Sequence, residues 1–182
     1  MWAHRLGLTP NQVSAIGMAF AALTGIAYWN WKLHPLLLIT APIFTLISGF
    51  CDALDGALAR IYEKTTKFGG FLDSLLDRCS DAAMLIGIIL GGLCNIFFGF
   101  IALTGSLLVS YTRARSEALG VEMEAVGIAE RAERLIILAI AGFLSAIWLE
   151  ALSWGVICIA VLTNITVLQR VSHFLKCSTE KN

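Results

Sequence analysis

The chain has 182 residues, 58% of them hydrophobic and only 14% charged, whereas an ordinary soluble domain carries about a quarter charged residues. A soluble helical bundle, which must show a polar face on every helix, is excluded by that balance. The formal net charge is zero but says little, because the charges are segregated along the chain; no nucleic-acid partner is expected.

The apolar residues come in long blocks, at 12–31, 36–51, 82–111, 135–149 and 151–169. A bilayer core asks for roughly 20 apolar residues per helix. The pattern predicts an all-α integral membrane protein with six transmembrane helices, near 11–33, 35–61, 68–93, 96–118, 128–148 and 151–174. No linker or low-complexity run divides residues 1–182, so a single six-helix domain is expected. The opening MWAHRLGLTPNQ is too polar for a signal-peptide core, and no small-residue cleavage site follows. The first helix is therefore expected to be retained. Thr9-Pro10 reads as an N-cap followed by Pro at the first helical position.

Orientation follows from the cations. With the N-terminus inside, Lys32 is the only one of the 13 Lys and Arg on the outer side. Arg5, Arg60, Lys64, Lys67, Arg78, Arg113, Arg115, Arg131, Arg134, Arg170, Lys176 and Lys181 lie inside. This positive-inside bias predicts a multi-pass cell-membrane protein with both termini cytoplasmic. The five cysteines are scattered, and an odd number argues against a disulfide framework. His4, His34 and His173 lie far apart, which argues against zinc.

The stretch DALDGALARIYEKTTKFGGFLDSLLDRCSD at 52–81 holds five aspartates in thirty residues. Asp52 and Asp55 share a face near the inner end of the second helix, and Asp73 and Asp77 share one near the inner start of the third. The connection at 61–67 is short, so the two helices are expected to be antiparallel neighbours. Asp52 with Asp77, and Asp55 with Asp73, are then level, about 12 Å below the helix end. Four close carboxylates cannot all stay ionised unaided, and lipid adds a further cost. Ion pairing with Arg60 and Arg78 does not neutralise them. A divalent cation does, and oxygen-only ligands suit Mg²⁺, Mn²⁺ or Ca²⁺. Four carboxylates suffice for two ions about 3.5–4 Å apart. A polar, metal-containing cavity at the cytoplasmic side is the expectation. Asp81, one turn deeper, is left outside the ligand set. Gly56, Gly69 and Gly70 either admit a flat ligand or let helices pack closely.

This stretch resembles the signature of the CDP-alcohol phosphotransferase (phosphatidyltransferase) family, D-x2-D-G-x2-A-R-x8-G-x3-D-x3-D. Asp52, Asp55, Gly56, Ala59, Arg60, Gly69, Asp73 and Asp77 meet every fixed position. LTPNQVS at 8–14 is similar to the family's entry to its first helix. The resemblance implies a six-helix core and a transferase that moves a phospho-group from a CDP-linked donor to an alcohol, releasing CMP. It implies that Asp52, Asp55, Asp73 and Asp77 bind Mg²⁺ or Mn²⁺, as two ions, and that Asp77 is the general base. It also implies that Asp52, Gly56, Arg60, Gly69 and Asp73 surround the CDP moiety. Homodimers are usual among such proteins.

SYTRARSEALG at 110–120 and VGIAERAERL at 126–135 hold the second charged cluster. Arg113, Arg115, Arg131 and Arg134 can meet at the inner mouth between the fourth and fifth helices, with Lys67 joining them. Paired guanidinium donors suit a phosphorylated acceptor. Ordinary helix pairs such as Arg113 with Glu117 account for them as well. The pattern S-Y-x-R-A-R followed by G-I-x-E-R-x-E-R resembles the phosphatidylinositol-phosphate and archaetidylinositol-phosphate synthases. It implies 1-myo-inositol 1-phosphate as acceptor and CDP-diacylglycerol or CDP-archaeol as donor. A phosphatidylglycerophosphate-type synthase using glycerol 3-phosphate is the alternative. A cation transporter is more distant, because its ion site belongs near the midplane and it leaves the arginines unexplained. A structural membrane subunit has no use for the buried charges.

Overall fold

The computed structural model of the chain describes residues 9–61, 66–123 and 125–179. Readings that fall on the opening segment, on Arg5, Lys64 and Lys181, and on the centre of the connection after Ile61 lie outside the described residues. Six α-helices form among the described residues: α1 Pro10–Trp29, α2 Leu37–Ile61, α3 Lys67–Leu90, α4 Ile96–Ala118, α5 Arg131–Ser145 and α6 Ala151–Thr179. There is no strand among the described residues.

Local chemistry sets the helix ends. Thr9 and Gln12 form a reciprocal capping box ahead of Pro10, as the Thr9-Pro10 pair predicts. At its far end α1 stops four residues before the expected 33. The Asn30 side-chain amide and backbone N–H both donate to the Ile26 carbonyl, at 2.9 and 3.0 Å. Trp31 to Leu33 then form a 3-10 turn, pinned by the Trp31 indole N–H donating to the Gly91 carbonyl at 2.9 Å. Thr66 caps α3 and Asn95 caps α4, each accepting a backbone N–H at 2.9 Å. The expected fifth helix is shorter than predicted at both ends, beginning at Arg131. Residues 126–130 form a loop held by α6.

Four of the helices hold a stretch long and apolar enough to cross a bilayer: Pro10–Trp29, Leu37–Leu58, Ile96–Ala118 and Ala151–Thr179. The 15 residues of α5 extend only about 22 Å, and α3 carries the aspartates. Large apolar side chains point outward from these helices; Phe50 and Leu168 are each 67% exposed. Outward apolar surface on this scale suits lipid rather than water, and the chain is a membrane protein.

The helices form two compact units, divided after Gly91. In the first, α1 packs against both α2 and α3. The two aspartate helices are thus held as neighbours by α1, which packs on both. Backbone approach makes this possible. A Cβ at Gly87 would lie 2.1 Å from the Gly25 carbonyl oxygen, and one at Gly25 would lie 2.3 Å from the Ala83 carbonyl oxygen. Helices without a hydrophobic drive between them associate through such small-residue contacts. In the second unit, α6 packs against α4 and α5.

Gly87→Val forces α1 and α3 apart. Overpacking of this kind costs about 3 kcal/mol or more, so the unfolding temperature should fall by about 10 °C. Gly70→Ala, which enters open space, should leave it unchanged. Circular dichroism melts of both variants in one detergent check this.

Candidate active site

In the first unit, α2 presents Asp52 and Asp55 one turn apart, and α3 presents Asp73 across the gap. One carboxylate oxygen from each lies within 4.8 Å of the others. Asp55 is buried, at 5% exposure. It accepts a 2.5 Å hydrogen bond from the Ser14 hydroxyl of α1, which fixes its orientation. The same hydroxyl lies 3.2 Å from the Pro10 carbonyl. The helix that holds α2 and α3 together therefore also aims a carboxylate.

Asp77 stands one turn further along α3, outside this mutual group, with its carboxylate 3.7 Å from Arg78. Asp81 is buried another turn along. The donor set is all carboxylate oxygen, which fits a hard divalent cation. Oxygens sharing one such ion lie at most about 4–5 Å apart. The three aspartates fall within that span and could hold one ion.

The residues expected around a CDP group lie beside the aspartates. A Cβ on Gly56 would stand 3.6 and 3.9 Å from the terminal nitrogens of Arg60, so the guanidinium lies over a bare backbone. Arg60 has no carboxylate partner among the described residues. The Gly69 N–H donates to Thr66, and a Cβ there would meet the Asn11 side-chain oxygen at 3.3 Å. Asn11 of α1 therefore reaches the first turn of α3, where Lys67 is exposed.

In the second unit the basic residues divide. Arg113 pairs with Glu117 at 2.9 Å. Arg134 is buried and donates to the Ala129 carbonyl at 2.9 Å. Arg131 opens α5. Arg115, two residues from Arg113 and so on a different helical face, lines a groove of about 210 Å³ with Tyr111, Phe174 and Leu175.

The charged residue that the sequence reading did not assign to the site is Arg170. It is 2% exposed, donates to the carbonyls of Val126, at 2.8 Å, and of Val109, and lies 3.8 Å from Glu130. The charges around it are those of Glu130, Arg113, Arg134 and Glu117. Its signal in the sequence is a lone arginine ending an apolar run, a placement that in a membrane helix marks function or a buried partner.

Residues 8–169 match the family model for CDP-alcohol phosphatidyltransferases. The chain belongs to the CDP-alcohol phosphatidyltransferase family. As a family member it is a transferase of the CDP-alcohol type, working in phospholipid synthesis. Among its relatives is the archaetidylinositol phosphate synthase of Pyrococcus horikoshii, 47% identical over 166 residues, which span 91% of this chain and 83% of that protein. The enzyme of the same name from Methanothermobacter thermautotrophicus is 42% identical over 174 residues, spanning 94% and 85%. The fold is similar to that of Mycobacterium tuberculosis phosphatidylinositol phosphate synthase. A crystal structure of that protein with manganese and citrate gives a TM-score of 0.80 at 31% identity, covering 95% of this chain and 85% of that one. Its CDP-DAG-bound structure also gives 0.80 at 31% identity, with 94% and 89% covered.

Mn²⁺ titration followed by electron paramagnetic resonance tests the carboxylate group directly. Asp55→Asn should weaken binding by tenfold or more. Ser14→Ala, which only frees the Asp55 carboxylate to turn, should weaken it by about threefold, the order of one modest hydrogen bond.

Proposed function

We propose that this transferase moves a phosphatidyl or archaetidyl group from a CDP-linked lipid to 1-myo-inositol 1-phosphate, releasing CMP. The observation that carries the chemistry is the gathering of Asp52, Asp55 and Asp73 within 4.8 Å inside a complete family motif. The acceptor assignment is supported by the relatives named as inositol-phosphate synthases. Glycerol 3-phosphate is the alternative acceptor.

In this reading Asp52, Asp55, Asp73 and Asp77 hold divalent cation, Mg²⁺ or Mn²⁺, as two ions. Bound cation supplies charge neutralisation at the diphosphate and at the departing CMP. The protein's own residues do the rest. Arg60 lies along the diphosphate, and Gly56 and Gly69 leave the backbone open to the nucleotide, with Asp52 and Asp73 at its edge. The acceptor hydroxyl oxygen forms a bond to the lipid-bearing phosphorus as the phosphoanhydride bond to CMP breaks. Its proton passes to the Asp77 carboxylate, a general base placed one turn from the metal-binding Asp73. Phosphoryl transfer needs alignment and electrostatics more than covalent help, which suits a site made of carboxylates and guanidinium groups.

The acceptor's phosphate falls to the second unit, to Arg113, Arg131 and Arg134, with Lys67 and Arg115 as further cations of the inner face. We read all six helices as membrane-crossing, with both ends and the aspartates on the cytoplasmic side of the cell membrane; the concentration of Lys and Arg on one side supports this. The family match runs unbroken through both units, which supports one catalytic domain.

CMP release by the protein in lipid with Mg²⁺ tests the reading, with inositol 1-phosphate, glycerol 3-phosphate and serine offered in parallel. Release should occur with inositol 1-phosphate alone and vanish with EDTA. Release only with another acceptor would overturn the acceptor assignment. Asp77→Asn should abolish turnover while still binding the CDP-lipid donor, and near-normal turnover would remove its role as base. Arg134→Ala should raise the acceptor KM far more than the donor KM.

A further inference from the structure

The mechanism leaves unused a buried arrangement in the second unit. Thr166 of α6 is fully buried, and its hydroxyl makes three hydrogen bonds. It accepts the backbone N–H of Ile128 at 3.3 Å and of Ala129 at 3.0 Å, and donates to the Leu162 carbonyl at 2.9 Å. A hydroxyl offers one donor and two acceptor positions, so its capacity is filled. Thr163, by contrast, donates to its own preceding turn.

The loop is shaped to receive this side chain. Gly127 has φ +114°, and a Cβ there would lie 2.3 Å from the Thr166 methyl. Both the backbone conformation and the space exclude a side chain. One turn along α6, Arg170 takes the next loop carbonyl, Val126, and faces Glu130. The loop's far end carries the register onward. The Ala129 carbonyl accepts from Arg134, and Glu130 caps α5 without any side-chain hydrogen bond of its own. The start of α5, and with it Arg131 and Arg134, is thus set by α6 rather than by a local cap.

We propose that Thr166, seated against Gly127, is a positioning residue that fixes Arg131 and Arg134 for the phosphorylated acceptor and so sets acceptor discrimination. The proposal rests on the reading of those arginines as the acceptor's phosphate site. It goes further in placing the determinant on a residue that need not touch the substrate. Two loop N–H groups share one hydroxyl, and losing it strands the buried one, that of Ala129. A loop freed to shift by an ångström displaces the arginines enough to weaken phosphate recognition severely.

The test compares Thr166→Val, nearly isosteric but without the hydroxyl, with Thr166→Ser, which keeps it. Both are assayed as full-length protein in lipid, with donor and acceptor varied separately. Thr166→Val should raise the acceptor KM by about tenfold or more, within the range of a misplaced binding group, and leave the donor KM nearly unchanged. Its preference between inositol 1-phosphate and glycerol 3-phosphate should narrow. Thr166→Ser should restore most of the loss, and Gly127→Ala should reproduce the Val phenotype. Equal changes in both KM values, or a lowered unfolding temperature with unaltered KM values in the folded fraction, would overturn the proposal. If the wild type instead turns over glycerol 3-phosphate, the acceptor reading fails, yet the same KM split measured with that acceptor still decides the clamp. Turnover of an unphosphorylated alcohol alone would overturn both.

Discussion

Three carboxylates held within 4.8 Å of one another in a chain that is 58% hydrophobic are the constraint around which the first unit is built. Two like charges 4 Å apart repel by about 4 kcal/mol at the effective dielectric of a protein surface. Nothing in apolar packing repays that. The arrangement suits added positive charge, and the oxygen-only donor set fits a hard divalent cation. The packing then follows. If α2 and α3 met along their whole length, their side chains would fill the space the ligands need. Placing α1 against both keeps the aspartate faces near each other.

That design makes α1 do two jobs. It must approach α3 so closely that Gly25 and Gly87 touch backbone to backbone, and it must bring Ser14 to Asp55 at the inner end. Both requirements fall on one rigid helix whose start is fixed by the Thr9–Gln12 box. A shift of α1 by one residue would break the glycine contact and turn Ser14 away from Asp55 together. Stability and ligand geometry are therefore coupled through α1 in the first unit.

Much of this was legible in the sequence because charge is rare there. An aspartate pair at helical spacing in an apolar block has few other uses, so Asp52, Asp55 and Asp73 could be picked out from spacing alone. The six helices and the Thr9-Pro10 start were legible for the same reason: apolar length and cap chemistry are local. What depends on packing was not. Counting residues from the connection between α2 and α3 suggested a simple hairpin, but the third partner, α1, is invisible to such counting. The fifth helix was expected from 128, but residues 128–130 belong to the loop and the helix begins at Arg131. Only the loop's contact with Thr166 reveals why Gly127 leaves helical geometry. Arg170 was counted only toward orientation because it stands alone in sequence; its partners at Val126, Val109 and Glu130 lie 40 to 61 residues away.

The two charged clusters are balanced in different ways, and the difference bears on how each end works. Around Arg170 the protein supplies its own counter-charges: Glu117 and Glu130 stand among Arg113, Arg134 and Arg170. That cluster is nearly self-neutral and can be assembled before any ligand arrives. An exposed pair such as Arg113 with Glu117 is worth only about 0.2–1 kcal/mol. A phosphate group offering several charged oxygens can therefore displace the carboxylate at small cost. The aspartate cluster gathers like charges, a donor set that suits a divalent cation from solution. On the proposed reading, metal concentration governs whether the donor end is formed at all. The acceptor end is formed beforehand, and its selectivity is set by how rigidly α6 holds the loop that starts α5.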